Sequence, residues 1–384
     1  MRVRSWAVTG VAAVLAGAAG AAVLITTGAH ASNSPSGSAT DAAATGAASP
    51  SPSVTTPAPA LRVVSIVHAA ATGAPDALAG VSVTFSAPVA SEVLPTLSPA
   101  FAGIWTRPTA TSAVFTPAGA PLPGQTFTVT VPRGTRDIAG GTLVATSTTS
   151  WTTRAASPAR LQQLLAEAGY LPLTFTPAAS EPATAQGIID SAYAPVAGSY
   201  TWRFTAPAAL RALYTGSTSS LLTRGAVMAF ESAHGLSPDG SAGPRVWSAL
   251  SQAVAARTVT THPYTYVYVT KTRPENLTVF QNGKAVLHTP ANTGVAGAAT
   301  PDGSWAIYAR YTSETMTGTN PDGTKYSDPG VPWINYFNGG DAVHGFPRAT
   351  YGSPQSVGCV ELPIPTAKTV YSMLGYGDIV TVAG

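Results

Sequence analysis

The chain has 384 residues, of which only 10% are charged, against roughly 25% in an ordinary soluble domain. A hydrophobic share of 45% excludes wholesale disorder, and a net charge of +3 without clustered Lys and Arg argues against a nucleic-acid binder. One cysteine rules out a disulfide scaffold and a cysteine-based metal framework.

Met1-Arg2-Val3-Arg4 precede an uncharged run from Ala7 to Ile25, which closes on Ala29-His30-Ala31. A basic n-region, an apolar h-region and a small-x-small cleavage site make residues 1–31 a secretory signal peptide. The run is long enough to approach a membrane span, so an N-terminal membrane anchor is the alternative. Either reading puts the body of the protein outside the cytoplasm, secreted or membrane-anchored. Residues 32–60 are rich in Ser, Pro, Ala and Thr, with Asp41 their only charge. Such a segment buries too little apolar surface to offset its ordering entropy and reads as a disordered linker.

Residues 61–154 carry β patterning. Val81-Ser82-Val83-Thr84-Phe85 and Thr126-Phe127-Thr128-Val129-Thr130-Val131 alternate with period two, and Pro121-Leu122-Pro123-Gly124 is a turn signal. Short strands so spaced predict a β-sandwich. Together with the closing Ser150-Trp151-Thr152-Thr153, these segments resemble bacterial Ig-like domains, which implies a spacer. His68 is expected in an exposed loop.

The period changes over residues 155–255. Leu161, Leu164, Leu165 and Ala168 fall at helical spacing before Gly169, which can end a helix. A second helix is predicted around Ala226 to Phe230 and a third around Val246 to Leu250. Arg160-Leu161-Gln162-Gln163-Leu164, Gly225-Ala226-Val227-Met228-Ala229-Phe230 and Gly243-Pro244-Arg245-Val246-Trp247 resemble a small three-helix peptidoglycan-binding domain. The stretch from Pro172 to Ser217 exceeds that family's usual linker and reads as an insertion. His234 is expected in a turn.

Residues 256–384 return to β patterning. Tyr264 to Thr270 alternates, and Asn282-Gly283 between apolar alternations is a hairpin signal. The lone Cys359 sits in Ser356-Val357-Gly358-Cys359-Val360-Glu361, downstream of Asp341-Ala342-Val343-His344-Gly345. A thiol needs a base to become a nucleophile, an imidazole can serve, and that imidazole needs a partner for its second nitrogen. Main-chain N–H groups at the turn can hold a developing oxyanion. His262 and His288 lack such neighbourhoods and read as structural or exposed.

His344-Gly345 followed by Ser356-Val357-Gly358-Cys359 resembles the YkuD-type L,D-transpeptidases. Thr300-Pro301-Asp302-Gly303, Val331-Pro332-Trp333 and Gly375-Tyr376-Gly377-Asp378 support the resemblance. It implies a β-rich mixed α/β catalytic domain with Cys359 as nucleophile, His344 as base and Gly345 offering its carbonyl to the imidazole. It further implies oxyanion donors at Gly358 and Cys359, with Ser356, Val357, Tyr326 and Trp333 about the substrate. Val357 and Glu361 depart from the pattern, since polar residues commonly precede the Gly-Cys pair and Arg or Asn commonly stands at the second position. The implied activity is 3→3 cross-linking of peptidoglycan tetrapeptide stems through a thioacyl-enzyme, with release of D-Ala. L,D-carboxypeptidase activity and an inactive wall-binding protein are the alternatives. No metal or organic cofactor is implied, the partners are peptidoglycan stems and glycan, and carbapenem-type β-lactams are expected to acylate Cys359.

Overall fold

The computed structural model describes residues 58–384 except 71–77, 217 and 219. The segment 1–31 and all but the last three residues of the 32–60 linker lie outside the described residues. No helix among the described residues is long and apolar enough to cross a membrane.

Seven strands come first: β1 (Val63–Ala70), β2 (Leu78–Phe85), β3 (Thr96–Ser98), β4 (Gly103–Thr109), β5 (Ser112–Pro117), β6 (Thr126–Val131) and β7 (Ser147–Thr152). They form two antiparallel sheets, ordered β1-β2-β5-β4 and β3-β6-β7. The period-two pattern decides which side faces inward. Val81, Val83 and Phe85 meet Val129 and Val131 in one core between the sheets. His68 is exposed, but it stands on β1 rather than in a loop, stacked 5.1 Å from the Trp151 ring.

The middle region contains α1 (Pro158–Glu167), β8 (Leu173–Pro177), α2 (Ala185–Asp190), β9 (Gly198–Trp202), α3 (Ala208–Ala212), α4 (Leu221–Ala233) and α5 (Pro244–Ala255). Ser157 caps α1 by accepting from the Arg160 N–H, and Pro158 fills the first helical position. Gly169, at φ +82°, ends it: the Tyr170 N–H donates to the Leu165 carbonyl and the Gly169 N–H to that of Ala166. Helices α1, α4 and α5 occupy the three positions expected from the sequence, but they are not alone. The stretch after Pro172 pairs β8 with β9 as an antiparallel hairpin and adds the two short helices α2 and α3. His234 ends α4, its ring stacked 3.9 Å from that of Phe230. The junction with the first sheets combines hydrogen bonds with apolar contact, Ala120 and Leu122 packing against the helical core. Ala120 N–H donates to the Asp190 carboxylate and Tyr193 O–H to the Pro121 carbonyl, each at 2.8 Å.

The last region contains β10 (Thr265–Thr270), β11 (Asn276–Gln281), β12 (Lys284–Pro290), β13 (Gly303–Ala306), β14 (Ala309–Thr319), β15 (Lys325–Asn338), β16 (Asp341–Gly345), β17 (Val360–Leu362), α6 (Ile364–Met373) and β18 (Ile379–Ala383). One sheet runs β12-β11-β10-β18-β13 and the other β14-β15-β16-β17. Asn282 and Gly283, both at positive φ, make the two-residue turn joining β11 to β12. Central strands β10 and β18 pair in parallel and are buried on both faces, so their sequences read as nearly continuous apolar runs. Val267, Val269, Val380 and Val382 enter the core shared with Val343, Val360 and α6. Tyr266 and Ile379 point the other way, into the core of α1, α4 and α5. The helical and C-terminal regions thus share one apolar interior. Gly225 of α4 lies so close to Gly377 that a Cβ on it would stand 2.4 Å from the Gly377 carbonyl oxygen.

Candidate active site

Strand β17 lies parallel to β16, with Glu361 in register with His344. Cys359 immediately precedes β17, so the sheet sets the thiol and the imidazole on one cavity. The turn before it is tightly held. The Cys359 carbonyl accepts from the Ser356 hydroxyl at 2.5 Å and from the Thr300 hydroxyl at 3.4 Å. Ser356 is buried, and its N–H donates to the Thr293 carbonyl at 3.0 Å. Gly358 sits at φ +117°, where a Cβ would also stand 2.3 Å from an Asp341 carboxylate oxygen, so only glycine fits. Among the described turn and loop hydrogen bonds, none uses the main-chain N–H of Gly358 or Cys359. Both amides are therefore available to an oxyanion.

His344 is 3% exposed, and its Nδ1 lies 3.0 Å from the Gly345 carbonyl oxygen. A carbonyl only accepts, so Nδ1 carries the proton and Nε2 is left as the basic nitrogen. Burial holds the imidazole pKa below its ordinary value, while the Gly345 carbonyl and the Glu361 carboxylate oppose that fall. Burial also pushes the Cys359 thiol up to about 12, against the Ala342 main-chain N–H and with help from the Asp341 and Glu361 carboxylates. The thiol is half-buried, with Sγ 3.8 Å from the Gly340 carbonyl oxygen. The resting pair is thus a neutral thiol beside a neutral imidazole. Such a pair reacts when the base removes the proton as the sulfur attacks.

Both groups line a cavity of about 310 Å³ together with Tyr326, Asp328, Arg348, Ser356, Val357 and Glu361. Glu361, the departure noted in the sequence, is buried and held by Arg348 in a two-pronged ion pair, Nε to Oε2 at 2.7 Å and Nη2 to Oε1 at 2.6 Å. Arg348 also donates to the Gln355 carbonyl at 3.0 Å and lies 4.7 Å over the Phe346 ring. The Glu361 charge is therefore neutralised from the loop that joins β16 to β17. Tyr326 reaches the cavity from β15, its ring lying over Gly318.

Trp333 does not line the cavity. Its ring packs 5.7 Å from Tyr371 and 5.5 Å from the Lys368 ammonium, both on α6, because a φ of +60° at Trp333 breaks the alternation of β15. His262 and His288 are exposed and do not line this cavity; His288 stands on the edge strand β12, bonding Thr278 at 2.9 Å. The residues that sequence reasoning missed are Arg348 and Asp328. Neither belongs to a motif, and only the folded chain brings them to the cavity that holds the thiol. A larger cavity of about 400 Å³ opens between α4 and the C-terminal region, lined by Tyr170, Tyr264, Arg310, Tyr376 and Asp378. It contains no nucleophile of the kind found beside His344. No group of side chains among the described residues is arranged to hold a metal ion.

The family model of the YkuD L,D-transpeptidase catalytic domain matches residues 264–382. No curated protein matches the chain. Among solved structures, the catalytic domain of the Enterococcus faecium L,D-transpeptidase is 26% identical, covering 32% of this chain and 100% of its own, at a TM-score of 0.29. An L,D-transpeptidase from Mycobacterium smegmatis is 14% identical over 84% of this chain and 99% of its own, at a TM-score of 0.30. L,D-transpeptidase 3 from Mycobacterium tuberculosis, in complex with a faropenem-derived adduct, is 15% identical over 84% of this chain and 98% of its own, also at 0.30. With TM-scores this low, the weight rests on the family model, whose span contains both His344 and Cys359. Residues 264–382 form a YkuD-type L,D-transpeptidase catalytic domain.

Proposed function

We propose that the chain joins peptidoglycan stem peptides by acyl transfer through Cys359. The observation that carries this reading is the pairing of β16 with β17, which sets a tautomer-fixed imidazole and the only thiol against one cavity inside the matched domain. As the Cys359 sulfur attacks the carbonyl of the third stem residue, a diamino acid, His344 Nε2 takes the thiol proton. The Gly358 and Cys359 amides receive the oxyanion. The proton passes to the departing D-Ala nitrogen, leaving a thioester. The side-chain amine of a second stem then attacks that thioester and forms a 3→3 cross-link.

The same reading places the body of the protein outside the cytoplasm, held by residues 1–31 as signal peptide or anchor. The first two sheets serve as an Ig-like spacer, and the helical region holds the glycan near the cleft, raising the local substrate concentration. Carbapenem-type β-lactams would acylate Cys359 as stem mimics.

The test follows a disaccharide-tetrapeptide by mass spectrometry with the chain lacking residues 1–31, beside Cys359→Ala. Cross-linked dimer and D-Ala, both absent with the variant, support the proposal. Tripeptide without dimer replaces it with a carboxypeptidase. No product and no carbapenem adduct on Cys359 overturn it in favour of a wall-binding protein.

A further inference from the structure

The second half-reaction sets a problem that the thiol and the imidazole do not solve. An alkyl side-chain amine is protonated at neutral pH, so the acceptor arrives as a cation. Entering a cleft beside a thioester strips water from that cation, and the protein must supply a compensating charge. The ionisable groups lining the cavity are Tyr326, Asp328, His344, Arg348, Cys359 and Glu361. His344 and Cys359 rest neutral, and Tyr326 is neutral too, its phenol held above its ordinary value by burial. Arg348 and Glu361 are committed to each other through two hydrogen bonds. The charge that remains is the Asp328 carboxylate.

Its position suits the task. Asp328 stands two residues after Tyr326 on β15, so the strand period puts both on the same face, and its register partner Met316 on β14 also lines the cavity. The carboxylate acts electrostatically on Arg348, Tyr326 and, least, His344, all of which line the same cavity. Yet it takes part in no ion pair or side-chain hydrogen bond among the described residues. The carboxylate is half-buried at the cavity wall, with no hydrogen-bond partner to displace before a cation reaches it.

We propose that Asp328 is the acceptor-binding residue of the cleft: its carboxylate receives the side-chain ammonium of the incoming stem and positions that nitrogen for the thioester. This rests on the transpeptidase reading above. The ammonium sheds one proton to water, and the freed lone pair forms the C–N bond while the C–S bond breaks. The second nitrogen proton passes to His344 Nε2 and from there to the departing thiolate. Asp328 holds the cation and keeps its charge throughout. A carboxylate here favours the amine over water, and so selects cross-linking over hydrolysis.

The test compares the chain with its Asp328→Asn and Asp328→Glu variants above neutral pH, using the disaccharide-tetrapeptide as donor and acceptor. Acyl-enzyme formation, dimer and tripeptide are measured separately. With Asp328→Asn the ratio of dimer to tripeptide falls about tenfold, the effect of losing one charge-assisted contact, and falls further than the rate of acyl-enzyme formation. The apparent KM for acceptor rises, and Asp328→Glu recovers part of the ratio. Added salt lowers the ratio for the unsubstituted chain and not for Asp328→Asn. An unchanged ratio in Asp328→Asn, or equal losses in acylation and cross-linking, overturns the assignment of Asp328 alone. An unsubstituted chain that forms no acyl-enzyme overturns the transpeptidase reading, and this assignment with it.

Discussion

Removing the Arg348 guanidinium would leave the Glu361 carboxylate buried in register with His344 and without its counter-charge. The two members of this pair act on the imidazole in opposite senses, Glu361 raising its pKa and Arg348 lowering it. Arg348→Ala should therefore move the acid limb of the pH profile of kcat/KM upward, and Glu361→Gln should move it downward. In the unsubstituted chain that limb should lie below the ordinary imidazole value of about 6.5, because burial favours the neutral base and the base is the active form. Arg348→Ala should also cost about 2 kcal/mol in denaturant unfolding, less than a fully buried pair because Arg348 is partly exposed. Limbs that fail to separate would show that the pair has no part in setting the base. Gly358→Ala is the steric counterpart. Its Cβ meets Asp341 and its φ is disfavoured, so displacement of the thiol should lower turnover about 10²-fold in steady-state assays. At this scale the sequence singles out His344, Gly358 and Cys359 through a motif, and the fold puts His344 and Cys359 on one cavity. Arg348 and Asp328 stand in no motif, since it is the folded chain that brings a loop and β15 to one cavity.

Helix α4 approaches the turn before β18 through two glycines, Gly225 and Gly377, the latter at φ +83°. Backbone this close leaves no room for a methyl group. Gly225→Ala should lower the thermal midpoint by an overpacking penalty of about 1–3 kcal/mol even though alanine is the better helix former. A variant as stable as the parent would mean that α4 can shift away without loss. The periodic elements were legible for a physical reason: Val81 to Phe85, Thr126 to Val131 and the Asn282-Gly283 hairpin each have one buried face or one required turn geometry. The stretch after Pro172 was less so. Leu173 and Phe175 are buried in β8, but the strand is five residues long and too short for alternation to announce it. Trp333 shows the opposite limit, for a single positive φ turns a strand residue toward a helix that its sequence position does not foretell.

Across the whole molecule the two junctions differ in extent. The first sheets meet the helical region through hydrogen bonds at Ala120 and Pro121 and the partly buried Ala120 and Leu122, whereas Tyr266, Ala306 and Ile379 of the C-terminal sheet are buried in the same apolar core as Leu222, Ala226 and Phe230. A chain beginning at residue 155 should keep the thermal midpoint of its catalytic part. One beginning at residue 256 should lose it and aggregate, because it exposes that apolar face. Equal midpoints by calorimetry would show the shared core to be dispensable. The solitary cysteine has a practical consequence as well. On the proposed mechanism, every covalent adduct formed by a thiol-selective electrophile on the single cysteine of this sequence reports on the reaction centre. The mass gain of the intact protein therefore counts competent molecules one for one, and a reducing buffer can protect the sulfur without opening any bond that the fold depends on.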